Sequence, residues 1–425
     1  MNTEYRPFPD ERSDEFHAFM RYAFSPEQGP WSPEDRDEDR EFLASFRGLF
    51  DGDDPVAVCG HHEFTLRIRG DDRPVAGLSA VASPPENRRQ GHVKRLLSES
   101  LAEYREDGVA YSVLWPFEYA FYAKYGWGTV SRYRLVTTPV DQLSFVDDAL
   151  ADPDWDGDSD ADAGSFRRLG EDDFPAVDPV LAAMADRYDF TMARTERWWK
   201  HRTLRGWTDD PFAYGWERDG ELRAVWTYTF ASADAEDNDG DGRQLRVNDV
   251  AFADETAWLQ FLRFCRNHDS QVESVRVRAP PDTNLMDRVA DPRAVDVEVL
   301  TGPMFRLVDV VDSLQRLSPP TDTPETTVTL DVSDPLASWN DATFAVSIGR
   351  EAVTVEQDAT SGNGADGSAH ADARVGIASL SQLYAGYHSV DEAERTGDLE
   401  TRDTAVRETL ASLFPPRRTF LREGF

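Results

Sequence analysis

The sequence predicts a mixed α/β chain built from more than one domain. Its 425 residues correspond to roughly two to four domains at ~100–200 residues each. Apolar runs of strand length alternate with amphipathic helical stretches along the whole chain. Three acidic segments rich in Gly and Ser, at 151–165, 233–242 and 357–373, interrupt that pattern. Each is too polar to pack and reads as a solvated loop or linker, the first at a domain boundary and the other two as hairpin loops.

The elements follow in order. Residues 14–24 place Phe16, Phe19, Met20 and Ala23 at helical spacing. Residues 56–59 and 63–69 read as two strands, with His61 and His62 in a hairpin turn between them. The apolar run 75–83 is a further strand and ends at Pro84-Pro85, which cannot continue a ladder. Residues 92–106 carry Val93, Leu96, Leu97, Leu101 and Tyr104 on one helical face. Residues 109–114 form a buried strand; Pro116 then opens a short helix through Tyr122, which Gly126 stops. In 166–305 the clearest strands are 222–230 and 272–278, and Trp198, Trp199, Trp207 and Trp216 read as core or interface residues. The last section has strands at 344–348 and 352–356 and helices near 379–384 and 404–414.

The formal charge is −35, and of 45 basic residues the lysines are Lys94, Lys124 and Lys200. Such an acidic, lysine-poor surface suits concentrated salt, where self-repulsion is screened within about 3 Å at ~1 M; an acidic protein that binds cations is the alternative. The acidity argues against nucleic acid as a partner. Cys59 and Cys265 lie too far apart in sequence to suggest a disulfide framework or a metal cluster. No apolar run approaches ~18 residues, so no membrane span is expected. The N-terminus lacks an apolar signal core, and the cytoplasm is the expected location.

The chemically informative unit is strand, loop, helix. Val81-Ala82-Ser83 ends a strand, 84–87 form the loop, and Arg88-Arg89-Gln90-Gly91-His92-Val93 leads into the helix with Lys94 behind. A basic loop entering a helix through glycine exposes free N–H groups, and the helix dipole adds roughly half a positive charge there. That is a site for a pyrophosphate. Gly91 lets phosphates approach without a Cβ clash. A surface turn with two solvated arginines is the competing reading of the hexapeptide.

These residues resemble the Arg/Gln-x-x-Gly-x-Gly/Ala motif of the GNAT acetyltransferases, with Arg88 and Gly91 in place and Val93 in the usual small final position. The segment Phe121-Tyr122-Ala123-Lys124-Tyr125-Gly126-Trp127-Gly128 resembles the tyrosine-containing segment of the Eis-type (enhanced intracellular survival) acetyltransferases. Met304 to Val310, Trp339-Asn340, Leu383 to Gly386 and the terminal Gly424-Phe425 resemble landmarks later in that family. The resemblance implies an α/β (α+β) architecture: two GNAT-like domains with central mixed sheets, then a sterol-carrier-protein-like α+β domain. The corresponding divisions are 1–145 for the acetyl-CoA-binding domain, 146–305 for a second GNAT-like domain without its own cofactor site, and 306–425.

The resemblance also implies roles. Main-chain groups of Val81 and Ser83, flanking Ala82, would hold the pantetheine arm of acetyl-CoA. The N–H groups of Gln90 to Lys94, beside Arg88 and Arg89, would bind its pyrophosphate. Tyr122 would be the general acid; a core tyrosine is the competing reading. The α-carboxylate of Phe425 would be the base, because Eis-type chains bring their own terminus into the site. Termini usually fray, but the ending Thr419-Phe420-Leu421…Phe425 is apolar enough to dock. Phe24 and Trp31 read equally as acceptor-site lining and as core packing. No metal is expected. The expected activity is direct acetyl transfer to primary amines of a polycationic acceptor, aminoglycoside-, polyamine- or lysine-like. A non-catalytic acyl-CoA or apolar-ligand binding protein is the alternative. The resemblance further implies a homo-oligomer, a hexamer among the possibilities.

Overall fold

The computed structural model describes residues 3–35, 41–151, 164–206, 209–232, 242–357 and 371–425. Trp207 and most of the three acidic segments lie outside the described residues.

The chain begins with β1 (Thr3–Pro7), α1 (Ser13–Phe24), β2 (Ser45–Asp51), β3 (Asp54–Ile68), β4 (Asp71–Ala82), α2 (His92–Glu106), β5 (Tyr111–Leu114), α3 (Tyr119–Ala123) and β6 (Gly128–Thr129). It continues with β7 (Arg132–Pro139), α4 (Phe145–Ala151), β8 (Ser165–Arg168), α5 (Phe174–Ala185), α6 (Glu196–Trp198), β9 (Phe212–Arg218), β10 (Glu221–Ser232), β11 (Arg243–Phe252), α7 (Glu255–Arg266), β12 (Ser274–Ala279) and β13 (Asp296–Thr301). The last section holds β14 (Met304–Leu307), α8 (Val310–Gln315), β15 (Thr326–Ser333), β16 (Ala342–Ile348), β17 (Val353–Gln357), β18 (Ala373–Gly376), α9 (Ile377–Ala385), α10 (Val390–Thr396), β19 (Leu399–Thr401) and α11 (Thr404–Leu413).

Two compact units result. The first comprises 1–131, 303–419 and 423–425, and the second 132–302 with 420–422. Sheet orders are β1-β2-β3-β4-β5-β14-β6, β13-β7-β12-β11-β10-β9-β8 and β17-β16-β15-β18-β19. Consecutive strands are thus traded: β7 pairs with β12 and β13 of the second unit, whereas β14 returns to pair with β5 and β6 of the first.

In the first unit α2 packs its stripe Leu96, Leu97, Leu101 and Tyr104 against Ala57, Cys59, Ala76 and Leu78 of β3 and β4. Each fully buried leucine contributes about 1.5–3 kcal/mol. The other face carries α1, with Phe16 packed against Phe8, Phe50, Val58 and Ala82. In the second unit Trp199, Trp216 and Trp226 join one large core with α5 and α7, and Trp198 is also buried.

Two expectations are corrected. His61 and His62 are not in a turn: β3 is one continuous strand, and both histidines are buried within it. The glycine that suggested a turn, Gly60, marks a close approach, since a Cβ there would stand 2.9 Å from Ser79 Oγ. Nor is 357–373 a hairpin loop. β17 pairs with β16 while β18 lies parallel to β15, so the intervening chain is a crossover. The 233–242 segment does join antiparallel partners, β10 and β11.

Candidate active site

The site begins where β4 and β5 part. They pair in parallel at Ala76–Ser112 and Gly77–Val113. β4 then runs on through Leu78 to Ala82, while β5 ends at Leu114. Ala80 adopts φ +56, and the β3–β4 register shifts between Val58 and Gly60. This bulge aims the end of β4 away from β5. Val81 and Ala82 are buried there, and the half-buried Ser83 donates its hydroxyl to Val56 O at 2.8 Å.

The chain then enters α2. Gly91 is the N-cap residue at φ +85 and ψ 2, with no side-chain cap and no acidic residue in the first turn. The first helical bond is Arg95 N to Gly91 O at 3.0 Å. The amides of Gln90 to Lys94 meet no acceptor among the described residues. A Cβ on Gly91 would have no atom within 4 Å, so the cradle in front of these amides is open. Arg88, Arg89 and Gln90 are exposed; His92 is buried; Val93 is half-buried and Lys94 exposed. Arg88 folds back, its Nε donating to Ser83 O at 3.1 Å, with its guanidinium 5.8 Å from the Tyr22 ring. Gln90 ties the loop by donating to Glu86 O at 2.9 Å. An unpaired strand edge that leads straight to uncapped amides fits a pantetheine arm followed by a pyrophosphate.

The equivalent crossover in the second unit, β11–α7–β12, is closed. Its N-cap is Asp254, whose carboxylate accepts from Ala257 N at 2.8 Å, and Glu255 follows. Two carboxylates at that helix start repel an anion, and one already occupies an amide that a phosphate would need.

Tyr122 sits on α3, whose N-cap Glu118 accepts from Ala120 N at 3.2 Å. Its ring is 3 % exposed and packs against Phe117, Phe121 and Trp127. Burial raises its pKa, with Cys59 adding to the rise, so the phenol stays protonated at neutral pH. The turn behind it is fixed. Gly126 adopts φ +92, and a Cβ there would collide with Arg306 Nη1 and with Ile377 of α9. Arg306 is fully buried, donating to Tyr125 O and pairing with Asp334. Asp334 also accepts from the amides of Leu336 and Ala337, at 2.9 and 3.0 Å.

The chain terminus is docked. Phe420 and Leu421 are buried in full. Trp115, just past β5, donates its indole N–H to Glu423 O at 2.7 Å. The Phe425 ring lies edge-on to His62 and Phe64, at 5.3 and 4.6 Å between centroids. His62 in turn stands 2.9 Å from Ser79 Oγ, next to the bulge. Gly77 makes this layer possible, because a Cβ there would lie 2.3 Å from the Phe64 ring. Phe425, His62 and Ser79 therefore meet on one face of the β3–β4 pair. His62, Ser79 and Trp115 were not singled out by sequence reasoning. Their signal was the alternation His62, Phe64, Leu66 along a strand that reads as broken.

Phe24 and Trp31 are not brought together with this group. Phe24 is 48 % exposed at the end of α1, and Trp31 stacks on His17 at 5.5 Å. Beside the 83–87 loop opens a cavity of about 600 Å³, walled by Phe19, Tyr22 and Val56 and rimmed by Glu15, Asp54 and Glu86. Among the described residues no group of His, Cys, Asp or Glu is arranged to hold a metal, and no helix is long and apolar enough to cross a membrane.

Comparison with known proteins fits this geometry. Residues 4–130 and 191–307 each match an acetyltransferase (GNAT) domain family, and 310–422 match a sterol carrier protein domain family. An uncharacterized N-acetyltransferase of Streptomyces griseus is 26% identical over 389 residues, covering 88% of this chain and 87% of its own. One from Streptomyces avermitilis is 25% identical over 331 residues, covering 73% and 75%. Solved structures share the fold across the whole of both chains. A probable N-acyltransferase from Enterococcus faecalis V583 has TM-score 0.81 at 20% identity, a GCN5-related N-acetyltransferase from Anabaena variabilis 0.78 at 18%, and Eis1 from Mycobacterium abscessus 0.72 at 20%.

Proposed function

For this GNAT N-acetyltransferase, which carries two acetyltransferase domains and a sterol carrier protein domain, we propose direct transfer of acetyl from acetyl-CoA to a primary amine of a polycationic acceptor. The observation that carries the reading is the parting of β4 and β5 immediately before the uncapped amides of Gln90 to Lys94. In the proposal those amides hold the pyrophosphate, with Arg88 and Arg89 adding positive charge. The free edge of β4 around Val81 to Ser83 holds the pantetheine arm. Acetyl-CoA supplies the acyl group already activated as a thioester. Tyr122 gives its proton to the departing sulfur. The α-carboxylate of Phe425 accepts the proton of the amine through water. Asp254 at the start of α7 supports assigning the cofactor to the first domain and a supporting role to the second.

The rim of Glu15, Asp54 and Glu86 beside the loop, within a chain of net charge −35, supports a cationic acceptor. The same charge supports adaptation to high salt; a homo-oligomeric, cytoplasmic enzyme is the remaining part of this reading, the oligomer resting on the Eis-type resemblance and not on the charge. The experiment is thiol release from acetyl-CoA in a salt series across polyamines, aminoglycosides and lysine-rich peptides. Release is expected with at least one class and should rise with salt; none with any class removes the proposed acceptor. Tyr122→Phe should lower kcat by about 10²–10⁴-fold at unchanged acetyl-CoA affinity. Wild-type kcat in that variant removes Tyr122 from the mechanism.

A further inference from the structure

We propose that Arg306 is a positioning residue for the general acid: its guanidinium, anchored on Asp334 of the sterol carrier protein domain, fixes the turn that follows Tyr122 and thereby the place of the phenol. The inference rests on the acetyl-transfer reading above and gives the third domain a part in that chemistry.

Tyr122 belongs to a helix of five residues, Tyr119–Ala123. So short a helix is marginal on its own hydrogen bonds, and the ring must be placed by what surrounds it. The chain after the helix folds back on Tyr122: the amides of Tyr125 and Trp127 donate to its carbonyl at 3.0 and 3.3 Å. Arg306 holds this turn at two points. Its Nη1 donates to Tyr125 O, and its guanidinium carbon stands 5.1 Å from the centre of the Trp127 ring. Trp127 is wholly buried and meets the Tyr122 ring edge-on, at 6.2 Å between centroids. One cation therefore reaches the phenol both through the main chain and through an aromatic ring.

The anchor is rigid. Arg306 pairs through Nη2 with Asp334, and neither side chain is exposed to solvent. Taking both charges out of water is costly, so an arginine that merely filled space would be a poor choice there. Asp334 Oδ1 accepts from the amides of Leu336 and Ala337, and Oδ2 also accepts from Asn340 Nδ2 at 3.1 Å. Asn340 is pinned in turn: it donates to Val308 O and accepts from Val310 N, each at 3.0 Å. The carboxylate cannot follow the guanidinium if the turn shifts. A planar fork that serves one acceptor on each arm is the geometry of arginine, and the compact ammonium of lysine lacks it. Segments matched to three different domain families meet here: Tyr122 to Trp127 from the first, Arg306 from the second and Asp334 from the third.

A general acid must stand within about 2.6–3.2 Å of the atom it protonates, and a displacement of about 1 Å can cost ~100-fold in rate. The turn need only loosen slightly for Tyr122 to miss the departing sulfur. The amides of Gln90 to Lys94 take no part in this network, so acetyl-CoA binding is left as it was.

The test is a double-mutant cycle in the full-length chain, read as kcat and as the acetyl-CoA dissociation constant. Arg306→Lys keeps a buried charge opposite Asp334 but gives up the fork. It should lower kcat about 100-fold, with the dissociation constant within about twofold of wild type. In the Tyr122→Phe background the same substitution should change kcat by less than about threefold, because no acid is left to place. A merely structural arginine would lower kcat equally in both backgrounds, or weaken acetyl-CoA binding alongside. Either result overturns the proposal, as does wild-type kcat in a folded Arg306→Lys chain. Where Arg306→Lys does not fold, Arg306→Met combined with Asp334→Asn, which leaves no charge at either position, decides by the same readings. Tyr122→Phe alone keeps the two ideas apart. A slow Tyr122→Phe beside a fast Arg306→Lys removes the positioning role and leaves the acid in place; a fast Tyr122→Phe removes both.

Discussion

Replacing Gly91 tests the phosphate cradle without disturbing the core. Gly91 sits at φ +85 with open space where a Cβ would project. Gly91→Ala therefore meets no clash, and its whole effect is conformational. Holding an L-residue in the left-handed region costs roughly 1–2 kcal/mol. The variant can keep that geometry and lose stability, or rotate the peptide and turn amides away from the phosphates. A bound anion holds the geometry, so the strain then appears as weakened binding. One to two kcal/mol corresponds to about a 5–30-fold rise in the acetyl-CoA dissociation constant. Gly220→Ala is the control: it has φ +81 and equally open space, in the turn between β9 and β10. It should lose similar stability and bind acetyl-CoA as the wild type does. The assay is titration calorimetry with acetyl-CoA, paired with urea unfolding of each variant. A Gly91→Ala dissociation constant within twofold of wild type, or an equal loss in Gly220→Ala, refutes the cradle.

Three further outcomes follow from buried groups. Asp334→Ala strands the guanidinium of Arg306, which is fully buried, and should lower unfolding free energy by about 3–5 kcal/mol in denaturant titration. Burial holds the His61 imidazole down at about 4, against an ordinary value near ~6.5. Its contribution is therefore present above pH ~6.5 and lost as pH falls towards 4, by about 3 kcal/mol; His61→Gln should flatten that loss in melting curves. Asp249 is held at about 2 despite burial, because Arg194 at 2.5 Å and Arg422 at 3.3 Å favour its charged form. Stability from this carboxylate, about 2 kcal/mol, is present above its ordinary value near ~3.9 and lost as pH falls towards 2. Asp249→Asn should remove that acid limb and reduce stability at pH 7.

The strand–loop–helix unit of the proposed cofactor site was legible in the sequence because its determinants are local. A proline pair, two arginines, a glycine and an amphipathic stripe lie within about 25 residues of one another, and each acts on its immediate neighbours. The strand exchange was not legible. Nothing in the apolar run of β7 says which sheet it joins, because a strand's partners are chosen by long-range packing. The same limit hid His62. Two adjacent histidines after a glycine look like a turn until the missing Cβ of Gly60 is seen to admit Ser79. The docking of the terminus could be expected from its apolar residues, but its bonds to Trp115 and its contact with His62 depend on pairings more than 300 positions away in sequence.

The most direct measurement is a crystal structure with acetyl-CoA bound. It should show phosphate oxygens about 3 Å from the amides of Gln90 to Lys94, and the pantetheine arm along Leu78 to Ser83 with its sulfur near Tyr122. Diphosphate at any other helix start, or strands β4 and β5 zipped together past Gly77, would contradict the account.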